Sequence, residues 1–522
     1  MKSKNRLMHC LCFVCAIAAA LSFALTGAWA AEAGKADELY VGLSADPSTL
    51  EPMVQSGQAV RLIKMCLYRG LVAYQADGKV GMELAESYDV AEDNKTYTFK
   101  IRGNAKFHDG SDVTAEDVKF SMERILDESI GATFRLDFLS MLDRCEVVDA
   151  KTVRIILKEP CAPFLDYLTL PESVIVSKAW CEKNKNDLNA HPMGAGPYVF
   201  DSWDKGREVV VKAFKDFYKP GKPESLAIVF VVTPDDTTRV NALRTREVDL
   251  IDYVPAKEVD TLGKDGKFTV DISEAPFMCL QINCKEGPLA DPRVRQAIAY
   301  AVDRRGVIDA AFMGRGTEIF GFPSRVGQNG YDGKFDDYFS FDPEKAKALL
   351  DEAGYGTGMR VKILSSSTYD MHKQTAIVVQ DSLKKIGIDA TVDLPDWATR
   401  IERSNVGDYE IMVSGTAGNI VDMDWCTNYF ASGPPRMNSA PYFNDKEVDE
   451  LLAIGRTTLD PAKRAEIYDN LRKRILDQSP FVFINFREQC FARGADVEGF
   501  TNLDGILTYN SGITLENTYV RK

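Results

Sequence analysis

Apolar and polar positions along this 522-residue chain change period many times. Tyr97, Phe99 and Ile101 alternate with Thr98, Lys100 and Arg102, the period-2 pattern of a half-buried strand. His108-Asp109-Gly110-Ser111 then supplies turn residues. Thr114-Ala115-Glu116-Asp117 has the form of a capping box, with Thr114 as N-cap and Asp117 reaching back to its amide. Ala115, Val118, Met122 and Ile125 follow at helical spacing. The stretch predicts strand, turn and capped helix.

The same reading extends along the chain. Strands are predicted over 40–43, 145–148, 153–157 and 198–200, and the apolar run 225–234 reads as a buried strand. Asp77-Gly78 marks a tight turn between two short strands within 66–82. A short helix begins near Arg239, and 278–283 reads as a strand. Val294, Ala297, Ile298, Ala301 and Val302 then form one helical stripe behind Pro292. Few periodic signals occur over 313–341. Asp342-Pro343 starts a further helix, which Gly354 ends. A strand over 361–364, a helix over 371–386, a strand over 388–392, helices within 444–477 and a buried strand over 481–486 complete the pattern. Strands alternating with helices predict an α/β fold. There is no internal repeat and no low-complexity segment.

The first thirty residues break this pattern. Lys2, Lys4 and Arg6 precede an apolar run from Leu11 to about Leu25, and Ala28-Trp29-Ala30 fits a cleavage site. A signal peptide over 1–30 is expected, leaving 492 of the 522 residues, a length that suggests at least two lobes. The whole chain carries a net charge of −14, and loss of the +3 leader takes it to −17. An acidic surface argues against nucleic acid as a partner. Eight cysteines remain, at 66, 145, 161, 181, 279, 284, 426 and 490, enough for 105 disulfide pairings.

Catalytic signals are few. There is no G-x-S-x-G elbow and no Walker A loop, and the spacing of His108, His191 and His372 excludes an H-E-x-x-H zinc site. His108 beside Asp109 has the form of a base and its orienter, but a turn histidine bonded to backbone explains it as well. Asp235-Asp236 and Asp422-x-Asp424 fit caps and charged loops. No catalytic residue, metal or cofactor is expected.

The run YTFKIRGNAKFHDGSDVTAEDVKFSMERI resembles the signature of the family 5 extracellular solute-binding proteins, the peptide and nickel type that serve ABC importers. Similar segments recur in order: DPSTLEP at 46–52, APFLDYL at 162–168, GAGPY at 194–198, EVDLI at 247–251 and DPRVRQAIAYAVDR at 291–304. The resemblance implies a two-lobed periplasmic-binding-protein fold of type II, in the large class with an extra subdomain in lobe one. Lobe one is expected over 31–280, with the subdomain at about 76–195. Lobe two is expected over 281–488, and 489–522 return to lobe one. Segments 278–284 and 481–486 are then candidate crossings.

It also implies ligand contacts. The loop 54–58, with Ser56 and Gln58, is expected to face the ligand. Trp397 matches a family tryptophan, and Trp397 and Trp425 are candidate stacking or wall residues. Arg135 is a candidate for a ligand carboxylate, with Arg400 or Arg403 as alternatives. The ligand-pairing strand falls in 408–424, where the family's Gly-Trp pair is Gly415-Thr416. The Asp that meets a peptide ammonium falls at Asn419, which lacks the charge; Asp422 or Asp424 is left to substitute. A nickel-site histidine falls at Ser414.

The expected function is a monomeric periplasmic receptor, not an enzyme, that captures a small solute, foremost a peptide, and delivers it to an inner-membrane ABC permease. The alternatives are a non-peptide organic solute or a nickel chelate, and then a secreted hydrolase. A receptor that feeds a membrane sensor is a further possibility.

Overall fold

A computed structural model describes residues 36–55, 57–75, 77–324 and 333–522. The predicted signal peptide and Ser56 lie outside the described residues, as does part of the 313–341 loop.

Two long strands organise the main sheet. Phe268–Ile282 and Phe481–Gly494 pair antiparallel from Phe268 opposite Gly494 to Gln281 opposite Phe481. The run Phe481–Phe486 is apolar at nearly every position because both faces of this strand are buried. The register shifts between Glu274 and Phe277, a bulge that bends and twists the ribbon where it passes from one half of the sheet to the other.

One half holds Glu38–Leu43, parallel to Ala227–Val232 and to Leu250–Ile251. The other holds Met359–Leu364, parallel to Ile388–Asp393 and Ile411–Thr416. Ile411–Thr416 pairs with the first long strand, and Leu250–Ile251 with the second. The expected boundaries at 280 and 488 therefore fall inside strands common to both halves. The carboxyl ends of the parallel strands open onto one cleft, the place where open α/β sheets bind ligands.

A separate four-stranded antiparallel sheet is built from Ala85–Val90, Thr96–Ile101, Thr152–Leu157 and Leu142–Asp149. It lies within the expected subdomain. The alternating strand Thr96–Ile101 buries Tyr97, Phe99 and Ile101. The helix Ala115–Leu126 covers it with Ala115, Val118, Met122 and Ile125, all buried. Its capping box is complete: the Asp117 amide donates to Thr114 Oγ1 at 3.4 Å, and the Thr114 amide donates to Asp117 Oδ2 at 2.9 Å. Such a cap contributes roughly 0.5–2 kcal/mol.

His108 is a turn histidine. The Gly194 amide donates to its Nδ1 at 3.3 Å, and its Nε2 donates to Gly196 O at 3.1 Å. Asp109 accepts from the Ser111 amide and hydroxyl instead of orienting the ring. All eight cysteines named above are free thiols.

Candidate ligand-binding cleft

The helix Trp397–Val406 starts at the carboxyl end of Ile388–Asp393 and is capped by Asp396, which accepts from the Thr399 amide at 2.9 Å. Trp397 and Arg400 are three residues apart and share a face. The Arg400 guanidinium therefore lies over the Trp397 ring, 4.7 Å from its centroid. Tyr369 meets the same ring edge-on at 4.9 Å, and His372 stands 5.7 Å from it. Tyr253, from the opposite half, reaches across to Tyr369 at 5.2 Å.

These side chains enclose a cavity of about 50 Å³ in the cleft. Gln58, Trp397, Arg400, Ser414, Gly415, Thr416 and Asn419 all line it, so the structure brings together these residues singled out from sequence. Gly415 has a steric reason to be glycine: a Cβ would stand 3.0 Å from Met278 Sδ and 3.5 Å from His372 Nε2. Asn419 Oδ1 accepts from Gln55 Nε2 at 3.4 Å, while its Nδ2 and both amide atoms of Gln58 are buried without partners among the described residues.

The cavity is electrostatically unbalanced. Arg400 is 2% exposed; Nη2 donates to Val413 O at 2.8 Å and Nε has no partner. Burial lowers its pKa to about 10. Arg487, in the wall of the neighbouring space, is as deeply buried, donating to Tyr509 Oη at 2.7 Å and Gln489 Oε1 at 2.8 Å, with no partner for Nε among the described residues. Neither guanidinium meets a carboxylate within 4 Å among the described residues. His372 lies between them. Burial, and then the two positive charges, hold it well below the ordinary histidine range, so the ring is neutral, with Nδ1 unpaired. Arg61, at the cavity edge, is by contrast neutralised by Glu172 at 3.0 Å. A buried guanidinium without a counter-charge is costly, and a bound anion would complete it.

Arg135, Arg403, Asp422, Asp424 and Trp425 are engaged elsewhere, and none of these five lines this cavity. Asp422 takes a two-pronged bond from Arg464 at 2.5 and 2.7 Å. Asp424 accepts from Arg456 and from Tyr167 Oη, each at 2.7 Å. Neither acid is therefore open to an ammonium. Trp425 is core, packed on Phe322 at 5.7 Å and Tyr429 at 5.0 Å. Arg135 donates to Leu126 O at 2.9 Å, and Arg403 bridges Asp393 and Asp408 at 2.7 and 2.9 Å. Of the three arginines named from sequence, Arg400 lines the cavity and these two do not.

Tyr253, Tyr369, Tyr509 and Arg487 were not singled out from sequence. Tyr253 lies two residues past the strand end at Ile251 and holds a left-handed φ of 45°. Arg487 sits inside a strand whose pattern gives no sign of an unpaired charge.

Two α/β halves joined by crossing strands, with a cleft of unpaired polar groups between them, define a solute-binding protein. A model of the bacterial extracellular solute-binding proteins, family 5, matches residues 79–438, and the chain belongs to that family. It is a solute-binding protein of ABC importers, not an enzyme, with the α/β periplasmic-binding-protein fold. It is similar to the binding protein AgaA of A. tumefaciens R10, solved with agropinic acid: 48% identity, 93% of this chain, 99% of the other and TM-score 0.90. It is similar to DppA of Helicobacter pylori, solved with the peptide STSA: 25% identity, 94% of this chain, 99% of the other and TM-score 0.86. The glutathione-binding protein GsiB of Escherichia coli K12 is 29% identical over 478 residues, which cover 89% of this chain and 92% of that protein.

Proposed function

We propose that this protein is a monomeric periplasmic receptor for a small, anionic, non-peptide organic solute of the opine type, delivered to an inner-membrane ABC permease. The carrying observation is the pair of buried arginines, Arg400 and Arg487, which lack carboxylate partners on either side of neutral His372. A solute carboxylate supplies the missing charge through charge-assisted hydrogen bonds. Trp397 offers a ring face, while Gln58, Asn419 and Thr416 offer hydrogen bonds to hydroxyls or amides. The 48% identity to a protein solved with agropinic acid supports this class.

A peptide fits less well. Asn419 stands where an ammonium would need a charge, and Asp422 and Asp424 are already paired with arginines. The second reading is glutathione, supported by the likeness to GsiB. A space of about 50 Å³ holds a few waters at most, so the halves or the Tyr253–Tyr369 pair move apart to admit a solute. The expected leader, cleaved after Ala30, places the receptor in the periplasm.

The test is calorimetric titration of the mature protein with agropinic acid, glutathione and a tetrapeptide. Binding of agropinic acid that is lost in Arg400→Met supports the reading. Binding of the tetrapeptide alone contradicts it.

A further inference from the structure

Beyond the Tyr253–Tyr369 pair the cleft widens into a second cavity of about 510 Å³. The two tyrosines line both spaces and form the wall between them. The outer cavity is lined by both signs of charge, and each of its acids is held by a partner. Asp235 caps its own helix by accepting from the Thr238 amide at 2.7 Å. Asp236 pairs with Arg239 at 2.6 Å, Glu488 pairs with Arg315 at 2.6 Å, and Asp370 accepts from Gln374 at 3.2 Å.

Among its donors Arg315 is matched, by Glu488 and Asp260, but others are not. Gln489 is fully buried in the cavity wall, and its Nε2 has no partner. Arg487 belongs to the same wall and extends toward the inner cavity, where its Nε lies 3.7 Å from the Cβ position of Gly415. Lys257 and Lys373, one from each half, line the outer cavity and make no ion pair among the described residues. They lie in the first turns of the helices Ala256–Lys264 and Asp370–Lys385, both of which begin at this cavity without a side-chain cap. Uncapped first turns leave amide donors and a partial positive charge.

We propose that the outer cavity is an anion subsite of the same receptor, built for an elongated solute with two negatively charged ends. One end meets Arg400 and His372. The other lies beyond the tyrosine wall, with Gln489, Lys257, Lys373 and the two helix starts around it, and Arg487 serves the junction. The inference rests on the anionic-solute reading above. It narrows the solute from an organic acid to an organic diacid, with a polar chain that passes between Tyr253 and Tyr369.

The experiment compares an aldaric acid, a polyol chain with a carboxylate at each end, with its monoamide, which has the same length and one carboxylate fewer. The diacid is expected to bind about tenfold tighter, the scale of one well-placed charge contact. In Lys257→Gln/Lys373→Gln that preference shrinks to within about twofold, through weaker binding of the diacid. Equal affinities in the parent protein, or equal weakening of both compounds in the double variant, overturn the subsite. If neither compound binds, the anionic-solute reading fails, and thermal stabilisation by sulfate decides the subsite separately. A sulfate shift lost in the double variant supports the subsite, and no shift overturns it.

Discussion

The Arg400 guanidinium lies 4.7 Å from the centroid of the Trp397 ring and donates to Val413 O, yet no carboxylate reaches it among the described residues. A charge held this way is a cost to the free protein and an attraction for an anionic solute. Arg400→Met should therefore separate binding from stability. Affinity for an acidic solute should fall by roughly thirtyfold to a few thousandfold, a loss of roughly 2–5 kcal/mol. The melting temperature should hold or rise, because an unpaired buried charge is removed. Calorimetric titration and thermal unfolding of one preparation read both effects; loss of affinity together with a lower melting temperature would point to a structural role.

Asn419 tests the sign of the preferred ligand charge. It lines the inner cavity with an unpaired Nδ2. Asn419→Asp places a carboxylate close to where the solute's own negative group should sit. Binding of an organic acid should weaken by about tenfold, and binding of short peptides with a free ammonium should strengthen. Titration of both ligand types checks the reversal. Tighter binding of the acid would contradict the charge assignment.

Much of the fold is legible in the sequence because it depends on local rules. The alternation at Tyr97, Phe99 and Ile101, the Thr114 cap and the Val294–Ala301 stripe are each set by near neighbours, and each forms its expected element. The site is legible only in part. Gln58, Trp397, Gly415, Thr416 and Asn419 meet in one cavity because they end or follow a strand or begin a helix near the cleft. Asp422 is different: its fate is decided by Arg464, 42 positions away, and no periodicity announces that pair. Arg487 is hidden for the converse reason, since what marks it is that no carboxylate among the described residues meets it in three dimensions.

The buried knot around Asp424 carries stability. Arg456 donates to Asp424 at 2.7 Å and to Ser140 Oγ at 2.5 Å, and Tyr167 Oη donates to Asp424 at 2.7 Å. Ser140 and Tyr167 flank the four-stranded sheet, whereas Asp424 and Arg456 belong to the chain beyond Ile411–Thr416. Arg456→Met leaves Asp424 buried and unpaired, and should cost about 3–5 kcal/mol. Tyr167→Phe removes one hydrogen bond to a charged group and should cost roughly 1.5–3 kcal/mol. Urea unfolding of the two variants tests this order, and an equal loss in both would contradict it.

His108 predicts part of the acid sensitivity. Burial of its ring lowers the pKa from 6.5 to about 4, and protonation of Nδ1 would break the bond from the Gly194 amide. The unfolded chain therefore binds the proton first, and this residue's contribution to stability is lost as the pH falls from about 6.5 towards 4. The loss is at most about 3 kcal/mol, reduced by the partial exposure of the residue. Asp166 and Asp252, raised to about 6 mainly by burial, act in the opposite sense over the same range, so only a difference isolates His108. Urea midpoints between pH 7 and pH 4 should fall less steeply in His108→Asn than in the parent. Parallel curves would contradict the assignment.

The most direct measurement is mass spectrometry of what the purified protein releases on denaturation. A receptor built around Arg400 and Arg487 should release one defined, acidic, non-peptide compound, and none from Arg400→Met. A mixture of peptides, released equally by the parent and the variant, would contradict the account.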